Sequence, residues 1–579
     1  MEQHPVTRTP SCRADLLAGL ALLVITGCVF WPSLSADFVR WDDEVNIYGN
    51  SHIQKLDREN LRWMLTDFGY MRRYVPLTWL SWAISYQLGN GEPVAFHAGN
   101  LLLHLVNVLL VYWILRRLLL RWQRGRATRE SPAVWVCAGL ATLFWAIHPL
   151  RVEVVAWASS RGHVQGTFFA LVAVASYLKA IADESRSPLT CPWFWGAVAA
   201  YGAALLSYPI GIGLVAVFPV IDCFWRSSRR SLIEKLPFVI LAAAVLAITV
   251  WARTTAGGIW SPPPTLAAFG VADRVMQAFY IAACYVWKPW LQTSFSPVYT
   301  TLVDFNPFAP LFLVSALVVI GFTILAVWGR RRWPALTALW VCHLVLLVPV
   351  LGLTEHPHYA SDRYAYLQGI CWSVLIALGL LWTRRQLTLG LLLVISGLAG
   401  WRTYRQTQVW DNTVTLFTHV IKTLGPDPYR ANIYVRLGSY YWTRDVPQAL
   451  ENYATALAIE PNCFPAFKQR GLLRLRTDDT GAAIADLQQA RAIRPDAEVS
   501  HGLAIACVKA GRFANGRHFF DEALQLDPTD ASTYYDYALF LSQQGSSVEA
   551  LGYVRQALQR NPRDERAKAL LGKLTAHQL

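Results

Sequence analysis

The chain of 579 residues is 54% hydrophobic and only 16% charged, with a mean hydropathy of +0.29. Soluble domains carry about a quarter charged residues, so a single large soluble enzyme is excluded, and so are disordered and collagen-like chains. The net charge of +14 does not indicate nucleic acid, because the arginines fall in short clusters between apolar runs (116–129, 226–230, 330–332 and 384–385) instead of sharing one face.

Such clusters are the positive-inside signature of cytoplasmic loops, and the length leaves room for a large membrane domain plus a soluble one. The ten cysteines are scattered, mostly in apolar runs, with no C-x-x-C pair. They read as small buried hydrophobes, not as a metal site or disulfide framework.

The first apolar run, Leu16–Leu34, follows Arg8 and Arg13 and is close to the twenty or so residues that span about 30 Å of hydrocarbon. A cleavage site after Ser35 would make it a signal peptide; its length favours an uncleaved anchor with a cytoplasmic N-terminus. Further runs of spanning or near-spanning length occupy 97–118, 132–148, 163–183, 193–207, 209–225, 236–252, 276–292, 308–328, 334–353, 366–383 and 387–402. If all of them crossed, Arg330–Arg332 would lie outside. If 276–292, which carries Lys288 and Pro289, stays in the outer interface or re-enters, eleven spans remain and every arginine cluster is cytoplasmic.

Eleven spans bring three segments to the outer face: the long loop 35–96 with Trp41-Asp42-Asp43-Glu44, the turn from His148 to Arg161, and the segment 356–364. Three adjacent carboxylates raise one another's pKa by like-charge repulsion and partial desolvation. One so placed can serve as a general base or anchor a cation; the plainer reading is a solvated acidic turn. His97, Asn100, His104 and Asn107 recur on one helical face, which suits interhelical hydrogen bonds or substrate contact. They lack a further ligand at a fixed offset for a metal. Arg72, Arg73, Arg151, Arg161 and Arg363 would all lie outside, against the positive-inside tendency. An anionic lipid phosphate explains them, since the guanidinium fork matches phosphate oxygens. Arg363 also reads as an ion pair with the adjacent Asp362, and Glu153 as orienting an acceptor or pairing with Arg151.

After Trp401 the chain becomes soluble and amphipathic, and it repeats. Prolines at 461, 495, 528 and 562 are 34, 33 and 34 residues apart. Each is preceded at five residues by Ala456, Ala490, Ala523 or Ala557, and at twelve by Ala449, Ala483, Gly516 or Ala550. This is the tetratricopeptide (TPR) pattern of paired helices. The expected architecture is all-α: a polytopic membrane bundle of about eleven spans over 1–403, a linker and partial capping helix over 404–426, and a TPR solenoid of about four repeats over 427–579. Tyr434, Tyr440, Tyr441, Tyr534, Tyr535 and Tyr537 suit helix packing better than a binding groove.

The stretches FVRWDDEVNIYGN (38–50), VPLTWLSWAISYQL (75–88), FHAGNLLLHLVNVLL (96–110), HPLRVEVVAW (148–157) and SDRYAYL (361–367), followed by the repeats, resemble the bacterial TPR relatives of the transmembrane-and-TPR protein O-mannosyltransferases, within the GT-C glycosyltransferase fold. The resemblance covers nearly the whole chain. It implies transfer of a sugar, mannose or another hexose, from a polyprenyl-phosphate donor to Ser/Thr hydroxyls of exported proteins, with inversion. It maps the catalytic acids onto Asp42 and Asp43, with Glu44 and Glu153 as secondary acids. Arg161, Arg363, Arg151 and Arg73 become candidates for the donor phosphate, and His97, His104, His148, Asp362 and Tyr364 would line the cavity. No metal, cofactor or nucleic acid is expected. The partners are the lipid-linked donor, membrane lipids and acceptor proteins held by the TPR region. The expected location is a bacterial inner membrane with the TPR region outside the cytoplasm. One departure stands out: relatives carry a Lys near the end of the fifth span, where this chain has Ser207-Tyr208-Pro209. Arg151 stands where relatives often show a His. Two other readings are a non-catalytic TPR scaffold and a GT-C enzyme acting on lipid or polysaccharide acceptors.

Overall fold

A computed structural model describes residues 11–123, 133–182, 187–225, 233–255, 265–291, 295–353, 357–383 and 386–576. Arginines 124–129, 226–230 and 384–385 of the expected cytoplasmic clusters, and His356, lie outside the described residues. The described elements are helices of every width and contain no strand. The chain divides into two compact units, Met1–His419 and Val420–Leu579.

The first unit contains α1 (Ser11–Phe30), α2 (Arg58–Thr66), α3 (Pro76–Gly89), α4 (Pro93–Gln123), α5 (Ala133–Ala146), α6 (Val152–Ala156), α7 (Arg161–Ala180) and α8 (Pro192–Ser207). It continues with α9 (Leu214–Trp225), α10 (Leu236–Thr255), α11 (Val271–Trp287), α12 (Pro310–Gly329), α13 (Pro334–Leu347), α14 (Ala365–Gln368), α15 (Ile370–Thr383) and α16 (Gln386–Thr407); the residues of α17 (Thr413–Leu424) are divided between the two units at His419. Proline opens several of these helices, where its missing N–H costs nothing. Among the described residues, five helices (α1, α4, α10, α12 and α16) are long and apolar enough to cross a membrane. The number rises to seven if α5 with 149–156, bent by 61°, and 362–368 with α15, bent by 51°, each form one broken span. On α12, Leu313, Val314, Leu317, Ile320, Ile324 and Leu325 all stay exposed, as expected of side chains that face lipid tails. These helices make the chain a membrane protein.

The long first loop is folded. Ile47, Ile53, Met64, Val75, Trp79, Trp82 and Phe96 form one buried cluster that packs α2 and α3 against the head of α4 and against Ala158. Asp37 N–H donates to the Asp411 carbonyl at 2.8 Å and Arg40 N–H to Thr413 Oγ1 at 2.9 Å. His419 Nε2 lies 2.8 Å from the Phe295 carbonyl. Residues 404–419 of the expected linker therefore pack with the first unit.

The second unit is four antiparallel helix pairs and a terminal helix: Arg430–Tyr441 with Val446–Ile459, Phe464–Arg476 with Thr480–Ile493, Ala497–Lys509 with Phe513–Leu526, Ala531–Gln543 with Ser547–Arg560, then Glu565–Ala576. The two periodic small-residue positions have distinct physical roles. Ala449, Ala483 and Ala550 are fully buried, and a Cβ on Gly516 would meet Val508 Cγ2 at 2.7 Å, so the paired helices touch there. The carbonyls of Ala456, Ala490, Ala523 and Ala557 each accept the N–H that closes the second helix just before its proline. Asp445, Asp479, Asp496 and Asp530 cap helix N-termini. The tyrosines pack: Tyr537 lies between Phe520 and Tyr553, Tyr534 under Arg560, Tyr535 under Arg566 and Tyr440 under Arg444. At Gly471 a Cβ would come within 2.7 Å of Leu487 Cγ. Gly471→Val is therefore expected to lower the stability of this unit by about 1–3 kcal/mol, measured as an earlier unfolding transition of the full chain.

Candidate active site

The three adjacent acids part company. A wide five-residue turn, Glu44–Tyr48, begins directly after Asp43 and closes on Gly49, whose N–H donates to the Glu44 carbonyl at 2.8 Å. A Cβ at Gly49 would sit 2.5 Å from that oxygen, so the turn requires glycine there. Glu44 is directed outward, paired with Arg40 at 2.7 Å. Asp43 is fully buried: Val39 N–H donates to one carboxylate oxygen at 2.9 Å, and Ser159 N–H (3.0 Å) and Ser159 hydroxyl donate to the other. Burial pushes the Asp43 carboxyl up to about 7, against the pull of these three donors. Asp43 thus ties the first long loop to the Ala158–Ser160 turn that precedes α7.

Asp42 alone of the three opens onto a cavity of about 30 Å³, which it shares with Arg73, Trp157, His163, Tyr208 and Arg363. Arg73 approaches the Asp42 carboxylate at 3.8 Å. It follows two residues held in the left-handed region, Met71 (φ 54°) and Arg72 (φ 53°). That conformation costs about 1–2 kcal/mol per residue outside glycine and marks the segment as constrained beside the cavity. Arg363 pairs with Glu153, which also accepts the Arg363 N–H at 2.9 Å. Its guanidinium lies over the rings of Trp157 (5.6 Å) and Tyr364 (5.2 Å). The first and third of the polar segments thus meet in one place, with the second supplying Glu153, Trp157 and Ser159.

The other sequence-derived candidates are committed elsewhere. Arg161 is buried, donating to Asn100 Oδ1, Ser81 Oγ (2.7 Å), Ser85 Oγ (3.2 Å) and the Phe96 carbonyl (2.8 Å). Only glycine at position 99 leaves room for it, since a Cβ there would sit 2.4 Å from its Nη2. Arg151 donates to the carbonyls of Trp145 and Ala365 and lies over the rings of Trp145 and Tyr366. His104 bridges the Tyr366 hydroxyl (2.7 Å) and the Ala146 carbonyl (3.0 Å). Asn100 and Asn107 donate to the Trp157 and Val164 carbonyls. His97 is buried. Asn100, His104 and Asn107 of the α4 stripe therefore hold neighbouring segments together, whereas both ring nitrogens of His97 are buried without a hydrogen-bond partner. His148 accepts the Leu150 N–H and lies 2.9 Å from the Pro289 carbonyl. Tyr364 stacks on His358.

Asp362 is buried with Lys288, whose Nζ is 2.5 Å away, and accepts the Tyr299 hydroxyl at 2.9 Å. Lys288 Nζ sits 3.5 Å above the Tyr299 ring. The end of the 276–292 run is thereby joined to the third polar segment. Three residues of this region escape motif reading: Lys288, whose charge within an apolar run was visible without its partner, and His163 and Tyr208, which no spacing links. Tyr208, at the place where a Lys is expected, stacks on His163 with centroids 4.2 Å apart. Among the described residues, no group of three or more His, Cys, Asp or Glu side chains is placed to hold a metal ion.

An all-helical membrane unit with an acid and two guanidiniums at one aromatic-lined cavity, followed by a TPR stack, defines a membrane-embedded TPR protein with the elements of an acid–base site. A tetratricopeptide-repeat family profile matches residues 508–574. The chain is similar in sequence to proteins that carry the name TMTC. It is 30% identical over 233 residues to "Protein O-mannosyl-transferase TMTC4" of Homo sapiens, covering 38% of this chain and 30% of that one. It is 24% identical over 547 residues to "Protein O-mannosyl-transferase TMTC1" of Homo sapiens, covering 82% of this chain and 59% of that one. The chain thus spans between about a third and three fifths of the length of these relatives. Among solved structures, the TPR protein YrrB, described as having an unusual peptide-binding site, is 18% identical with a TM-score of 0.25, covering 28% of this chain and 83% of that one.

Proposed function

We propose that the protein is a GT-C type glycosyltransferase that moves a hexose, in the first place mannose, from a polyprenyl-phosphate donor to Ser or Thr hydroxyls of proteins outside the cytoplasm. The observation that carries this reading is the Asp42 carboxylate lining one cavity with the Arg73 and Arg363 guanidiniums. The names of the TMTC relatives supply the reaction class. In this reading Asp42 takes the proton of the acceptor hydroxyl as its oxygen attacks the anomeric carbon in line. The bond from that carbon to the phosphate oxygen breaks, and the electron pair leaves with the lipid phosphate. A single displacement inverts the anomeric centre. Arg73 and Arg363 face the charge that develops on the phosphate, where a low-dielectric site magnifies their effect. Asp43 holds Asp42 in place. The lipid-linked sugar is itself the donor, and no cofactor enters.

The cavity is about the size of one water molecule's share of liquid, so a hexosyl group enters by displacing lining side chains. The TPR unit holds the acceptor protein and raises its local concentration. The test is transfer from polyprenyl-phosphate mannose to a Ser/Thr-rich acceptor protein by the full chain in nanodiscs, followed by mass spectrometry. The expected product carries an added hexose on a hydroxyl with inverted configuration. Unchanged acceptor mass with every hexose donor tried overturns the reading.

Eleven spans, with the N-terminus on the cytoplasmic face of a bacterial inner membrane and the TPR unit outside, belong to the same reading. Reporter fusions check the topology: an extracytoplasmic signal is expected at residue 295, and a cytoplasmic one there overturns it.

A further inference from the structure

Among the described residues that line the cavity, two ring nitrogens are buried without a hydrogen-bond partner, Trp157 Nε1 and His163 Nε2, and of the two residues only His163 is an imidazole. It lies in the first turn of α7, is 95% buried, and its Nε2 is enclosed without a hydrogen-bond partner. The ring is held from one side by Tyr208, stacked at 4.2 Å and tilted by 34°. That approach depends on Gly162, where a Cβ would lie 3.1 Å from the Tyr208 ring, 3.2 Å from the Ser207 carbonyl and 3.3 Å from Thr78 Oγ1. His163 lines the same small cavity as Arg73 and Arg363.

A buried imidazole nitrogen left without a partner is unfavourable, and the nearby group that relieves it must suit its surroundings. Two guanidiniums line the cavity beside the ring, one in a long pair with Asp42 and the other paired with Glu153, and both favour an acceptor that carries negative charge. An anion that accepts from two guanidinium forks and one imidazole N–H at once needs several oxygens on one centre, which is the geometry of a phosphate. A sugar hydroxyl would satisfy Nε2 without engaging either guanidinium, each of which has, among the described residues, a single carboxylate neighbour, Asp42 for Arg73 and Glu153 for Arg363.

We propose that His163 Nε2–H is a third donor to the lipid-linked phosphate, completing a clamp with Arg73 and Arg363, and that Tyr208 fixes the ring's orientation toward it. This rests on the reading of the cavity as the donor site, and it is tested by binding so that it stands or falls apart from turnover.

The experiment uses the full chain in nanodiscs, carrying Asp42→Asn so that no transfer occurs. The probes are a long-chain polyprenyl phosphate without sugar and the matching polyprenol, with inorganic phosphate as competitor. His163→Ala is expected to weaken binding of the polyprenyl phosphate about tenfold, which corresponds to about 1.4 kcal/mol, and to leave polyprenol binding unchanged. His163→Gln, whose amide N–H can reach the Nε2 position, is expected to recover most of the loss. Inorganic phosphate is expected to compete only at far higher concentration than the lipid. Equal loss for phosphate and alcohol, no loss for the phosphate, or no recovery by Gln overturns the clamp. Inorganic phosphate competing as well as the lipid overturns the lipid source. Should Asp42→Asn retain transfer in the separate activity assay, the base assignment fails, while the His163 result remains readable on its own.

Discussion

Asp42→Asn is expected to lower the transfer rate about 10²–10⁴-fold, the usual contribution of a positioned general base, with little change in folding or donor affinity. The geometry separates these effects. The Asp42 side chain is 29% exposed and its ion pair with Arg73 is long, at 3.8 Å. A partly solvated pair of that kind contributes about 0–1 kcal/mol. Its backbone carbonyl, which accepts the Asn46 N–H at 2.9 Å, is untouched by the substitution. Asparagine keeps the shape and the contact with the cavity while removing the proton acceptor. The measurement is kcat with saturating polyprenyl-phosphate mannose, beside a thermal unfolding scan of the same preparation. Glu44→Gln, which breaks only the outward pair with Arg40, is the matched control and should retain turnover. If both variants turned over like the parent chain, the acid at the cavity would not be the base.

The difference between these neighbours shows where sequence reading stops. Asp42, Asp43 and Glu44 are adjacent carboxylates with the same local propensity, and nothing in their spacing ranks them. Their fates are decided by a wide turn closing on Gly49 and by Ser159, which lies 116 positions away and captures Asp43. The arginines behave the same way. A guanidinium on the outer side reads as a phosphate ligand, but Arg161 is surrounded by Asn100, Ser81, Ser85 and the Phe96 carbonyl, and Arg151 by two carbonyls and two rings. Only tertiary packing distinguishes them from Arg73 and Arg363. By contrast, the TPR unit was legible residue by residue, because its helices contact neighbours close in sequence and each close contact demands a small side chain at a fixed period. The α4 stripe was legible as a face, and its hydrogen bonds to the Trp157 and Val164 carbonyls explain the period. Lys288 and Asp362 are 2.5 Å apart in space and 74 positions apart in sequence, so their pairing could come only from the fold.

Asp43→Ala is expected to destabilise the first long loop strongly. It strands Val39 N–H, Ser159 N–H and the Ser159 hydroxyl in a buried setting. Each unsatisfied donor costs about 1–3 kcal/mol, so a loss of at least about 3 kcal/mol is expected, a large part of the margin of an ordinary domain. Asp43→Asn should fall between, since its amide oxygen still accepts from Ser159 while its NH₂ faces the Val39 N–H. The pH dependence has a definite sign. Burial raises the folded-state pKa of Asp43 from 3.8 to about 7, so between those values the folded protein holds a proton that the unfolded chain has released. The stabilisation from this group is complete below about pH 4 and is lost as the pH rises through 7. A shift of about three units corresponds to about 4 kcal/mol. Unfolding scans of the parent chain and of Asp43→Asn at pH 5 and pH 8 isolate this group. The parent should lose stability across that interval relative to Asn, whose side chain does not titrate. A parent that instead gained stability relative to Asn as the pH rose would mean that the three donors outweigh burial, and that Asp43 holds the loop as a permanent carboxylate.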